Sequence, residues 1–136
     1  IGFAISINIV KRVLPTLIRG ETYDYPYLGL SSIEDLSLVA RKALGLNRMN
    51  GAYVTAIVPG GPADDAGLRA GVRQTDVSGL ASGGDLIIAV DGQTVNVFGD
   101  LLSYMLENKS PGDQMLLTIV RDNQEQEVTV TLGKRP

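Results

Sequence analysis

The stretch Tyr25-Pro-Tyr-Leu-Gly-Leu30 is the part of this chain best suited to chemistry, and that chemistry is binding. Gly29 opens backbone conformations closed to other residues. A turn built on it aims successive N–H groups at one point, a concavity that holds an anion. Leu28 and Leu30 flank that point with apolar surface. A free peptide C-terminus offers the complement, a carboxylate beside a side chain. Its backbone would run along the short strand after Gly29 and add a strand to the sheet. The opposite wall calls for a helix, and residues 98–106 supply one, with Phe98, Leu101, Leu102, Met105 and Leu106 on one face. The plainer alternative is that Leu28 and Leu30 fill the core where the chain enters a domain.

Other chemistries find little support. The chain of 136 residues has no histidine and no cysteine, which removes Ser-His-Asp and Cys-His catalysis and most zinc sites. Ser103 and Lys109 form a nominal serine–lysine pair, with nothing beside them to hold an oxyanion. Asp64 and Asp65 fall in the first turn of a short helix, where carboxylates offset the helix dipole. Asp85 and Asp91 bracket a strand and read as turn residues. The glycines of Pro59-Gly-Gly61 precede a helix, but Pro62 removes an amide and no lysine–serine pair follows, so a turn is expected there. No catalytic residue, metal site or cofactor is expected in this chain. A net charge of −3 argues against a nucleic-acid partner, since phosphate binding needs a basic surface.

The elements that must position the binding stretch follow from periodicity. With 44 % apolar residues, the chain has enough to build a core. It opens inside an apolar run, too short and interrupted to span a membrane, which reads as a cut inside a longer protein. Residues 2–5 suggest a buried strand. Val10, Val13, Leu14, Leu17 and Ile18 recur at helical spacing, with Ser6 or Asn8 as N-cap, Pro15 as a kink and Gly20 as the stop. This helix suits packing on an absent domain; Lys11, Arg12 and Arg19 leave an interfacial anchor as the alternative. Residues 20–26 read as a linker or hinge.

Beyond it, Ser31 with Glu34 and Ser32 with Asp35 look like overlapping capping boxes for a helix ending at Gly45. Residues 51–58 read as a strand, 62–67 as a short helix and 84–92 as a strand closed by the Asp91-Gly92 turn. Asn96 is expected to cap the helix that follows. Two closing strands flank Asp122-Asn123. Residues 72–83, small and polar, read as an exposed, mobile loop. The class is α+β: a small, mainly antiparallel sheet, partly open like a barrel or sandwich, capped by two helices and preceded by a strand–helix segment.

In this order, "YLGL", "GAYVTAIVPGGPADDAGLRAG" and "GGDLIIAVDGQTV", followed by a helix and a hairpin, resemble the PDZ domain of bacterial HtrA (Deg) serine proteases. The opening "IGFAISINIVKRVLPTLIRG" is similar to the end of the trypsin-like protease domain that precedes PDZ in that family. The resemblance implies residues 1–26 as protease tail plus linker and 27–136 as PDZ domain. It implies carboxylate binding by the backbone amides of Leu28, Gly29 and Leu30, and a side-chain pocket of Leu28, Leu30, Phe98, Leu101 and Met105. Partners would be C-terminal peptides or unfolded proteins with a hydrophobic last residue, the chain's own protease domain, and further copies in a homo-oligomer. The module would recruit substrate to a serine endopeptidase or regulate it, outside the cytoplasm in periplasm or at the membrane. The catalytic motifs would lie upstream, so this chain is expected to bind without cutting. A structural module with a closed groove is the alternative. Ser6, where proline often follows "GFAI", and the long 72–83 segment depart from the family pattern.

Overall fold

The computed structural model describes residues 6–33, 36–48 and 50–136. The strand expected at 2–5, and Glu34 and Asp35 of the expected capping boxes, lie outside these residues. Helix α1 (Ile7–Ile18) starts at Ser6, whose side chain accepts from the Asn8 N–H, and runs on through Pro15. Its Val13 is buried, while Ile7, Leu14, Leu17 and Ile18 stand exposed. The segment after it is tied to the chain's other end. Strand β1 (Pro26–Tyr27) pairs antiparallel with the last strand (Gly133–Lys134), Lys134 bridges to Asp24, and Arg135 lies over the Tyr25 ring at 5.4 Å.

Strand β2 (Leu30–Ser32) occupies Ser31 and Ser32, the residues expected to cap a helix. Helix α2 (Leu38–Leu44) starts later, where the Ser37 side chain accepts from the Ala40 N–H, and it ends on left-handed Gly45 as expected. Strand β3 (Ala52–Ile57) leads to α3 (Pro62–Asp65), with Pro62 opening the helix and Asp64 accepting from the Gly60 N–H. The main sheet continues with β6 (Leu86–Val90) and β7 (Gln93–Thr94), helix α4 (Phe98–Asn108), then β8 (Gln114–Arg121) and β9 (Gln124–Thr131); β10 is Gly133–Lys134. Asp91-Gly92 and Asp122-Asn123 all take positive φ, the signature of the tight turns that match strand twist. Asn96 does not cap α4. Asp100 reaches back instead, accepting from the N–H groups of Asn96 and Val97.

The sheet order is β2-β3-β6-β8-β9, with β7 beside β6. One face carries the main core, where Ala52, Val54, Ile87, Leu101, Met115, Leu117 and Ile119 are inaccessible to solvent. The other face holds a second cluster of Leu44, Tyr53, Leu80 and Leu86 under α2. Residues 72–83 are largely exposed, as expected, but they are not without structure. Strands β4 (Arg73–Gln74) and β5 (Ala81–Ser82) make them a hairpin with Leu80 buried at its base. Thr75 donates to the Leu80 carbonyl at 2.6 Å, and the Tyr53 hydroxyl donates to the Ala81 carbonyl at 2.6 Å. Chain and hairpin pass so closely that a Cβ on Gly71 would sit 2.0 Å from the Ala81 oxygen.

Asp85 is corrected too. It is no surface turn residue but a fully buried carboxylate, held by the Arg121 guanidinium through bonds of 2.8 and 2.7 Å and by the Arg69 N–H at 2.9 Å.

Candidate peptide-binding site

The 27–30 turn is fixed by its carbonyls. The Leu28 oxygen accepts from the Ala63 N–H in the first turn of α3, and the Gly29 oxygen accepts from the Val58 N–H, both at 2.9 Å. Gly29 has φ +78°, and an added Cβ would meet Pro62 Cδ at 3.3 Å and the Tyr27 ring at 3.4 Å. The left-handed backbone favours glycine here, and an added Cβ would also press on Pro62. Among the described residues, no backbone or side-chain acceptor outside the strand ladders takes the N–H groups of Leu28, Gly29 or Leu30.

The ladder shows where the last of these points. Leu30 faces Ile57, and the Val58 N–H bonds to Gly29 just before that pair. Leu30 is thus in a non-hydrogen-bonded pair, so its own N–H and C=O turn to the outer side of β2. That side is a sheet edge, since β2 has a single neighbour in the sheet order. The opposite edge, β9, carries Gln124-Glu-Gln-Glu127, a charged edge that resists pairing. The β2 edge carries Leu30, Ser31 and Ser32, with no charge.

Helix α4 lies across β3 and β6. Of the five expected pocket residues, Leu28, Leu101 and Met105 are 4 %, 0 % and 3 % exposed and belong to the main core. Leu30 and Phe98 pack on that core half-buried, as do Leu102 and Ile57. Leu102 had a readable signal, its place on the apolar face of α4; Ile57 had none, because its position depends on strand register. A cleft of about 560 Å³ is lined by Ile57 together with Leu68, Arg69, Val72 and Asp122 among others, and none of Leu28, Leu30, Phe98, Leu101 and Met105 lines it.

The C-terminal half of α4 is tethered by a cluster that spacing did not reveal. Asp91, in its tight turn, accepts from the Tyr104 hydroxyl at 2.6 Å, from Lys109 at 2.9 Å and from the Leu116 N–H at 2.8 Å. Lys109 is thus engaged with Asp91, and Ser103 is exposed. Burial pushes the Asp91 carboxyl up, but the Tyr104, Leu116 and Lys109 hydrogen bonds outweigh it and hold it below its usual range. The Asp91 hydrogen bond, with burial, pushes the Tyr104 hydroxyl up to about 12.

The signs of these shifts set a pH profile. A depressed carboxylate stabilises the fold above its unfolded pKa of about 4, and that contribution fades as pH falls through the lower folded value. A raised tyrosine contributes fully below about pH 10, its unfolded value. That share is lost as pH climbs toward about 12. Asp91→Asn keeps a residue tolerant of positive φ, and at neutral pH it should cost about 2 kcal/mol, the scale of hydrogen bonds to a charged group. Urea unfolding across pH should show that cost steady from pH 5 to 9 and shrinking below pH 4.

Comparison with known proteins follows this geometry. A sequence model of the PDZ domain matches residues 26–132. The chain belongs to the PDZ family. Over all 136 residues it is 32 % identical to a protein of Brucella suis named "Probable periplasmic serine endoprotease DegP-like". The chain spans about a quarter of that relative's length, 24 %. Its fold matches the solved structure "HtrA-type protease AlgW with decapeptide" with a TM-score of 0.75 and 24 % identity, covering 99 % of this chain and 37 % of that one. It also matches an HtrA3 PDZ domain bound to a phage-derived ligand, FGRWV, with a TM-score of 0.61 and 18 % identity, covering 83 % of this chain and 89 % of that one. The relatives of this PDZ domain are thus HtrA/Deg-type serine proteases, and its α+β fold is theirs.

Proposed function

We propose that this PDZ domain binds the C-termini of peptides and unfolded proteins, with the carboxylate on the amides of Leu28, Gly29 and Leu30 and the peptide backbone on the β2 edge. One observation carries the reading: a turn whose Leu28 and Gly29 carbonyls are bonded inward, and whose N–H groups have no acceptor outside the strand ladders among the described residues, stands at the head of an uncharged sheet edge. A carboxylate that reaches these N–H groups supplies the acceptor they lack among the described residues, and bonds to a charged acceptor are the stronger kind. The last side chain enters between Leu30, Ile57, Phe98 and Leu102, above Leu28, Leu101 and Met105. An apolar residue fits there, since a charge would enter unpaired.

The peptide-bound states of AlgW and of the HtrA3 domain, in their printed descriptions, support the same use here. Residues 1–26 would then be the end of a protease domain and its linker, with the exposed Ile7, Leu14, Leu17 and Ile18 packing on that domain. The parent would be an HtrA-like serine endopeptidase outside the cytoplasm, to which this module recruits substrate or which it regulates. A structural module with a closed groove is the second reading, favoured by the burial of Leu28, Leu101 and Met105.

Calorimetry with short peptides ending in Val, Leu, Ile or Phe, each as free acid and as amide, decides between them. The acids should bind with micromolar Kd, ~1 μM corresponding to about 8 kcal/mol. The amides should bind at least tenfold more weakly. Equal binding would move the site away from Leu28–Leu30, and no binding would favour the closed module.

A further inference from the structure

Helix α1 lies outside the residues that match the PDZ family, yet it packs against α4, the helix that would form one wall of the groove. The contact is specific. The Arg12 guanidinium donates to the Ser110 hydroxyl at 2.7 Å, just beyond the end of α4, and the neighbouring Val13 is buried. Arg12 Nε is itself buried, with no hydrogen-bond partner among the described residues.

The last turn of α4 has an electrostatic need of its own. It contains no basic residue and carries Glu107, although the C-terminal end of a helix is the negative end of its dipole. Lys109, the first residue after it, is committed to Asp91. Arg12 brings a cation to this end from a different element, with its guanidinium half-buried on the Ser110 hydroxyl.

We infer that α1 is part of the peptide-binding unit, with Arg12 as a positioning residue that braces α4 and so sets the spacing between α4 and β2. The inference rests on the proposed binding site. Its physical content is that the groove wall has two tethers, Asp91 with Tyr104 and Lys109 on one hand, Arg12 with Val13 on the other. Releasing the second lets α4 yield to a larger terminal side chain.

The test uses the full chain, Arg12→Met, which keeps much of the apolar stem, Ser110→Ala, and Arg12→Lys as conservative rescue. Amide exchange over residues 101–108 and the Kd ratio for free-acid peptides ending in Val and in Phe are measured on each. In Arg12→Met, exchange over 101–108 should rise about tenfold while β8 and β9 keep their protection. The Val-to-Phe preference should shift at least threefold toward Phe. Ser110→Ala should show part of both effects, and Arg12→Lys should restore most of each. Faster exchange with an unchanged preference would leave Arg12 a purely structural contact and overturn the inference, as would no change in either. A wild-type chain that binds acid and amide alike would instead sink the groove reading, and this inference with it.

Discussion

Arg121→Met is expected to remove a large share of the stability of this chain, about 3–5 kcal/mol. Asp85 is fully buried, and Arg121 bonds both of its carboxylate oxygens while also donating to the Gly67 carbonyl at 2.9 Å. Among the described residues, removing the guanidinium leaves a buried charge with only the Arg69 N–H bonded to it. Breaking such a pair from one side costs about 3–5 kcal/mol, against a typical total of roughly 5–15 kcal/mol for a domain. Urea unfolding should show a large fall in midpoint with the slope preserved. The double variant Asp85→Asn/Arg121→Met should recover at least half of the loss, because it removes the charge while keeping an acceptor for Arg69. A single variant as stable as wild type would mean that Asp85 finds other compensation.

Leu101→Ala should behave as a stability mutation before it behaves as a binding one. Leu101 is inaccessible and packs in the main core with Met105 and Ile87. Truncation there should cost about 2–5 kcal/mol through lost burial and the cavity left behind. Calorimetric melting should drop by roughly 10 °C, at a few degrees per kcal/mol for a domain of this size. Leu102→Ala, at a half-buried position, should lose less stability and more affinity. The reverse pattern would place Leu101 at the peptide contact and Leu102 outside it.

What was legible in the sequence follows the range of the forces involved. Local signals read well. The Asp91-Gly92 and Asp122-Asn123 turns, Pro62 at the head of α3, Gly45 ending α2 and the helical face of α4 each depend on a few neighbouring residues. Glycine at position 29 was legible as a backbone requirement, though its contact with Pro62 was not. Signals that two outcomes share read poorly. Serine followed by an acid describes a capping box at Ser31 and Ser32, yet pairing with β3 makes both of them strand, and the true cap is Ser37. Long-range partnerships could not be read at all. Nothing local distinguishes a turn aspartate from one buried against Arg121, and small polar residues at 72–83 hide one leucine that anchors a hairpin under Tyr53. The resemblance to HtrA proteases supplied the order of the pieces but not the tether between Arg12 and Ser110, since that depends on two elements brought together by the fold.

The antiparallel pair of β1 and β10 has a mechanical consequence. It sets the entry and exit of the domain side by side, held by a two-residue ladder, the Asp24–Lys134 bridge and the Arg135 cation over Tyr25. Tension applied across the two ends therefore meets this clasp first and opens it like a zipper, one bond at a time. The separate, larger sheet stays unloaded until the clasp is gone. Pulled at Pro26 and Lys134, the domain would lengthen at low force by opening this clasp, while a pull through α1 would also load its Arg12–Ser110 contact with α4.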